Sequence, residues 1–238
     1  MSPRRWSALL SLAFAAFAPC GAARAQVSGS VSLESDYRFR GPSLSDRRPA
    51  LSLSLSYDHP SGFYAGGAAI VTDSRYNGVE ALGFMEYAGF AKRVNDRIAV
   101  DVGVSNANLK RYNADRKGEL NYTEVYAGVV GSNLNLHGYF SPNYVRAGVD
   151  TYYLDLGGVV HPWDKWRVFG HLGYFGAAND QARAFGIRHR YDARVGVARE
   201  FKRLDLHVTW AGYGPQTVRP GLPPPNRSAV VFGATYFF

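Results

Sequence analysis

Four charged side chains stand at alternate positions in Glu34, Asp36, Arg38 and Arg40. Two chemistries are open to such a run. On the inner face of a water-filled tube it would form a charged constriction that sorts ions. In a confined interior it would be a set of unlike charges compensating one another along one strand and across to its neighbours, and this structural role is the one we read first. Further charges sit singly within alternating apolar segments: Asp101, Glu124, Asp155, Arg167, Asp192, Arg194 and Asp205, joined by His137, His171 and His207. Nucleophilic catalysis would need a Ser activated by a His with a third orienting group. His59 and His161 lie in short turns, and His189, near a long loop, is the one histidine placed to act as a base, without a flanking motif. None of the six histidines falls at ligand spacing with a second His or a Cys. We therefore expect no catalytic residue, no metal and no cofactor.

The elements that must position these charges announce themselves by a period of two. From Val27 to Phe39 the odd positions are Val27, Gly29, Val31, Leu33, Ser35, Tyr37 and Phe39, while the even positions from Ser28 to Arg40 are all polar. Leu51, Leu53, Leu55 and Tyr57 alternate with Ser52, Ser54, Ser56 and Asp58 in the same way. Such alternation marks strands with two different environments. Looser versions follow around 98–105, 134–140, 151–160, 166–174, 191–197 and 204–210. Segments near 62–72, 78–91, 119–130 and 228–238 bring the expected number to about 12 strands. The facing of the Gly- and Ala-rich stretch 62–91 stays open.

The connections alternate in length. Short ones contain Asp58 to Gly62, Asn95-Asp96, Gly131 to Asn133, His161 to Asp164 and Phe201-Lys202, most of them built from turn residues. Longer ones are expected at about 41–48, 73–77, 106–118, 141–149, 176–190 and 213–227, the last holding the Pro-rich run Pro220 to Pro225. An even-stranded, up-and-down antiparallel β-barrel with both termini on one side has this arrangement. Its polar face would line the interior and its apolar face would meet lipid, because a spanning structure leaves no backbone group unpaired in hydrocarbon.

Composition agrees. A hydrophobic fraction of 46% against 19% charged excludes a solvated disordered chain. The mean hydropathy of −0.21 would suit a soluble protein, but bulk hydropathy misses barrels whose strands face lipid with every second residue. After residue 25 no apolar run approaches the roughly 20 residues of a transmembrane helix. The first 25 residues read as a secretory signal: Arg4 and Arg5, an apolar stretch from Trp6 to Phe17, and Ala23-Arg24-Ala25 before the cut. Cys20 admits a rival reading as a lipid-anchored cysteine, which Pro19 fits poorly. The expected organisation is thus a leader, 1–25, and one barrel, 26–238. The formal charge of +8 does not point to nucleic acid, since the arginines are dispersed and export removes access to it. The long loops hold thirteen basic side chains, Arg47, Arg48, Arg75, Lys110, Arg111, Arg116, Lys117, Arg146, Arg183, Arg188, Arg190, Arg219 and Arg227, against Asp46, Asp73, Asp115 and Asp180. Arginines there suit the phosphates of an outer leaflet rich in lipopolysaccharide.

The segment Ser35-Asp36-Tyr37-Arg38-Phe39-Arg40-Gly41 resembles the TorF-type porins, a family of small outer-membrane barrels. The likeness continues through Pro49-Ala50, Gly62-Phe63-Tyr64-Ala65-Gly66, Asn121 to Gly128 and Ser141-Pro142, and is weaker beyond, where Tyr191 to Val197 and the terminal Phe remain. It implies a barrel fold, an outer-membrane location and a pore role, and supplies no catalytic residues. The closing alternation Val230, Phe232, Ala234, Tyr236 and Phe238 resembles the C-terminal signal by which barrel-assembly machinery recognises its clients. The expectation is a passive channel for small polar solutes or ions. A barrel that binds at the surface or is purely structural is the alternative, and at 12 strands the interior lies between filled 8-stranded and open 16-stranded barrels. A lipid-modifying barrel enzyme and a soluble secreted barrel are weaker rivals. The latter would need large side chains on the apolar face, where Gly, Ala and Val are frequent and aromatics such as Tyr57, Trp166 and Phe238 gather near strand ends.

Overall fold

The computed structural model describes residues 26–75, 77–113, 116–214 and 227–238. The expected leader, Asp115, Arg219 and the run Pro220 to Pro225 lie outside the described residues. Twelve strands follow in order: β1 (Gln26–Glu34), β2 (Ala50–Asp58), β3 (Phe63–Ser74), β4 (Gly78–Arg93), β5 (Ile98–Asn113), β6 (Arg116–Gly131), β7 (Leu134–Ser141), β8 (Thr151–Val160), β9 (Trp166–Ala177), β10 (Arg190–Phe201), β11 (Leu204–Gly214) and β12 (Ser228–Phe237). Each pairs antiparallel with its neighbours in the chain, and β1 pairs with β12 from Ser30↔Phe237 to Glu34↔Gly233. The sheet therefore closes into a 12-stranded up-and-down barrel with no free edge.

The sequence alternation sets which face is inside. In β2, Leu51, Leu53 and Leu55 are 43%, 47% and 52% exposed, whereas Ser52 between them is 3% exposed. The apolar face points out all around the barrel: Val102 and Val104, Leu134 and Leu136, Leu154 and Leu156, Val195 and Val197, Val208 and Trp210, Val230 and Phe232 are all exposed. A soluble protein would bury this set, since it amounts to a continuous apolar belt. Glu86, Asn106 and Thr123 interrupt the belt on β4 to β6, with Asn106 Nδ2 donating to Thr123 Oγ1 at 2.8 Å.

In three places the chain departs from the simple alternation. First, β4 changes parity. Leu82 and Gly83 together stand opposite the single residue Ile70, a β-bulge. Glu80 and Leu82 face inward before it, and Met85 and Tyr87 after it. Gly83 takes φ +140° against β5, where a side chain would strike Asn108 and Leu109 backbone. This shift is why the facing of 62–91 could not be read from periodicity.

Second, the expected loop 106–118 is largely strand. β5 and β6 stay paired out to Asn113↔Arg116, a hairpin projecting beyond its neighbours. Polar residues such as Asn106, Lys110 and Glu119 look like loop in sequence, but a ladder needs only paired backbone. The loop after β9 also holds a short helix, α1 (Asp180–Phe185), capped by the Asn179 side chain on Ala182 N.

Third, β1 ends at Glu34 and not near Arg40. Glu34 faces Ala50, the first residue of β2, and Ser35 N donates to Phe232 O at 2.9 Å, so the partner on the β2 side runs out there. The segment 35–49 turns inward.

Candidate functional site in the barrel interior

The segment 35–49 is a folded plug. Arg38 and Ser43 form an isolated bridge around Gly41-Pro42, and Leu44 N donates to Tyr37 O at 2.8 Å. Leu44 O in turn accepts from Tyr112 N on β5. Tyr37 and Leu44, 5% and 1% exposed, pack on Ile70, Leu82, Met85 and Leu109 of β3 to β5. Placing Tyr37 on the lipid-facing side with Val31 and Leu33 is therefore corrected: its ring is inside, and its hydroxyl points to Met85 Sδ. Burial, and then the nearby Glu34 carboxylate, push the Tyr37 hydroxyl above its ordinary pKa. Phe39, expected on the same outer face, packs against this inner cluster as well. Arg40, Asp46 and Arg47 hold φ of 48°, 54° and 57°, a left-handed backbone costing on the order of 1–2 kcal/mol per residue. The contacts of the plug with the wall must offset that strain.

Those contacts cross the lumen. Asp36 accepts from Arg38 Nε at 2.7 Å and from Ser43 Oγ at 2.5 Å, which ties the plug to itself. Arg40 reaches β6, where its two terminal nitrogens meet the Glu124 oxygens at 2.7 and 2.6 Å in a bidentate pair. Its guanidinium carbon lies 4.0 Å from the Tyr153 ring centre and 5.0 Å from that of Tyr139. Arg38 and Arg40, read in sequence as strand residues on the inner face of β1, thus belong to an inserted loop. Their side chains are nonetheless enclosed, at 6% and 7% exposure.

Beyond the plug, three further groups of charges stand in the interior. On β5 and β7, Asp101 accepts from Tyr64 Oη at 2.5 Å and faces His137 Nε2 at 3.0 Å. On β8 to β10, His171 bridges Asp155 at 3.1 Å and Asp192 at 2.9 Å, with Tyr153 Oη 3.0 Å from the same ring. Gly173 makes room for this: a Cβ there would lie 2.7 Å from Tyr153 Cζ. On β9 and β11, Asp205 accepts from Arg167 Nη2 at 2.7 Å and neighbours His207, whose other nitrogen stands 3.8 Å from Glu34. Arg194 is half-buried on β10 and interacts within the same charged field. Among the described residues no group of three or more His, Cys, Asp or Glu is arranged to hold a metal ion.

One sector is less filled. Ser28, Ser30, Ser54 and Ser56 of β1 and β2 point inward yet remain half-buried, whereas Ser32 and Ser52, next in the same rows toward Glu34, are buried at 6% and 3%. At the end of this serine row, Glu34 keeps 26% of its side chain accessible, against 1–10% for the paired Asp101, Glu124, Asp155, Asp192 and Asp205. Small side chains line this sector where tyrosines line the wall elsewhere.

A model of bacterial proteins of unknown function, Gcw_chp, matches residues 19–213 of this sequence. The chain belongs to the Gcw_chp family. No curated protein matches it. Among solved structures, the NanC porin is similar at a TM-score of 0.52 and 10% identity, over 90% of this chain and 100% of its own. The translocator domain of the autotransporter NalP from Neisseria meningitidis gives 0.44 and 13% identity, over 92% and 89%. An anion-selective porin from Comamonas acidovorans gives 0.37 and 9%, over 91% and 100%. At such identities the likeness to the NanC porin is one of fold, a porin-like barrel.

Sequence reasoning placed Tyr139 and several unnamed tyrosines on the inner face of this Gcw_chp chain, but not the cluster they form. Tyr64, Tyr122, Tyr126, Tyr139 and Tyr153 are 2–7% exposed on the inner wall. The available signal was parity: Tyr122, Tyr126, Tyr139 and Tyr153 occupy positions that the alternation assigns to the polar face, while Tyr64 lies in the stretch whose facing stayed open. The basic loop side chains are partly compensated, since Arg75 pairs with Asp46 at 3.1 Å and Arg48 and Arg183 contact Asp73 and Asp180. His189 meets Tyr174 Oη at 3.0 Å on the outer surface, and among the described residues no serine hydroxyl is paired with it.

Proposed function

We propose that this Gcw_chp protein is an outer-membrane barrel that passes small polar solutes or ions passively through a narrow lumen set by the plug 35–49, without catalysing a reaction. The observation that carries this reading is the row of small inward serines on β1 and β2, half-buried except at Ser32 and Ser52, that leads to a partly accessible Glu34 beside a loop crossing the lumen. The exposed apolar belt supports lipid outside. The resemblance of 35–41 and 121–128 to TorF-type porins points the same way, and residues 1–25 would be the leader that exports the 26–238 barrel. In this reading the long connections and their arginines face lipopolysaccharide, and Phe238, with Tyr236 and Phe232, is what the assembly machinery reads. Asp101, Asp155, Arg167, Asp192, Arg194 and Asp205 then form the wall of the passage, holding one another in place more than touching the solute. Glu34 is the wall charge open to it.

Reconstitution in a planar bilayer tests the proposal, first with salt and then with a panel of small solutes. Small, stable conductance steps are expected from a protein that stays in carbonate-washed membranes. A sealed, structural barrel would give none.

A further inference from the structure

The environment of Arg40 is a recognition site already occupied. Glu124 offers both carboxylate oxygens, at 2.6 and 2.7 Å, Tyr122 Oη lies 3.4 Å from Nη1, and the rings of Tyr139 and Tyr153 lie 5.0 and 4.0 Å from the guanidinium carbon. A carboxylate fork lined by aromatic faces is chemically selective for a planar or alkylated cation: the fork fits a guanidinium, and the faces attract weakly hydrated positive charge over sodium or potassium. Nothing in this set of partners requires the cation to come from residue 40. The cation arrives on a loop, through a residue with φ of 48°, followed by Gly41 with φ of 101°, while Glu124 and the three tyrosines stand on the strands β6 to β8. A rigid wall and a strained tether are the parts of a site filled by a tethered stand-in.

We infer that the Glu124, Tyr122, Tyr139 and Tyr153 box binds guanidinium- or ammonium-headed organic cations, and that Arg40 occupies it as an internal substitute which such a solute displaces. This rests on the proposed passage only for the route by which a solute arrives. A tethered competitor acts at an effective concentration in the millimolar range or above, so the free solute binds visibly when the tether is cut.

Thermal unfolding of the full-length barrel in detergent, titrated with methylguanidinium chloride against sodium chloride at equal ionic strength, tests the site without any transport. Arg40→Ala should unfold at lower temperature and regain stability saturably with methylguanidinium, half-saturating at least tenfold below the wild-type protein. Sodium should not reproduce this, and Arg40→Ala with Glu124→Gln should lose the saturable response. An equal response with and without Glu124→Gln, or no saturable response in Arg40→Ala, overturns the inference. If Arg40→Ala fails to fold, Arg40→Lys decides. Its single ammonium competes less well for the fork, so methylguanidinium should half-saturate it below wild type, and an unchanged value overturns the site. Bilayer recordings separate the two readings. A saturable response without conductance keeps the site and removes the passage, and conductance without a saturable response does the reverse.

Discussion

Leu44→Ala should free the plug from the wall while leaving the barrel closed. Leu44 is 1% exposed among Ile70, Leu82 and Leu109, and it contacts strands without being part of one. Removing a buried leucine side chain costs about 2–5 kcal/mol. A loop can close partly over the gap, so about 2–3 kcal/mol is the appropriate range. At about 1.4 kcal/mol per factor of ten, the undocked population of the segment 35–49 should rise about 30- to 140-fold. The assay is limited trypsin digestion of the folded barrel in detergent, following cleavage after Arg47, since the Arg48–Pro49 bond resists trypsin. In the docked state the backbone there is held by Arg47 N to Ser43 Oγ at 3.1 Å and Arg48 N to Ser45 O at 3.1 Å. Cleavage tracks the open population when opening is fast relative to cutting. Cutting after Arg183, in α1 on another loop, serves as the control and should not change. An unchanged rate at Arg47 would refute the claim that apolar packing docks the plug. A parallel rise at Arg183 would show that the whole barrel had loosened instead.

Three further outcomes follow from the same contacts. Deleting Phe238 should lower barrel levels in cells while leaving refolding into detergent largely intact. Its backbone pairs with Gly29 and the residue is 56% exposed, its ring lying over Gly29 on the outer surface, so it adds little to the interior packing; equal loss in both assays would assign it to stability. A weak cation preference, read as a reversal potential in a salt gradient, should shrink in Glu34→Gln, because low-dielectric walls focus the field of an accessible charge, whereas loop charges are screened beyond about 8–10 Å. Asp36→Asn should also reduce it, by loosening the Arg38 and Ser43 ties of the plug, and an anion preference abolished by neutralising the loop arginines would put control at the mouth. Finally, Tyr37 is held neutral in the folded protein above its ordinary pKa of 10.0. The undocked segment then binds fewer protons once the pH passes 10, so docking weakens as pH rises through that value. Trypsin cleavage after Arg47 should accelerate there in the wild type, and the Tyr37 share of that acceleration should vanish in Tyr37→Phe.

The barrel was legible because lipid and lumen impose opposite demands on successive residues. Leu51 to Asp58 states both faces without ambiguity, and the count and order of strands follow from repeating that argument. Alternation, however, reports two environments and not a ladder. Ser35 to Arg40 keeps the pattern after the chain has left the sheet, since a loop threaded between a polar wall and an apolar patch also presents two faces. The turn-forming Gly41-Pro42 and the lone apolar Leu44 among Ser43, Ser45 and Asp46 mark the departure in sequence. The bulge at Leu82-Gly83 inverts parity within one strand, which no fixed period can follow. Individual charges of the interior were legible as inner-wall positions, but their partners were not. Arg40 and Glu124 are 84 residues apart, and a pairing of that kind depends on barrel shear and loop path.

The central claim is that a conducting lumen is narrowed by the plug. Single-channel recording of the wild-type barrel beside a variant lacking residues 36–47 tests it most directly, since these residues include Tyr37, Arg40 and Leu44 and exclude every strand residue. Small steps in the wild type and severalfold larger ones in the variant are expected, in bilayers where both remain folded by heat-dependent gel mobility. Equal conductance in the two would contradict the constriction, and silence in both would contradict the channel.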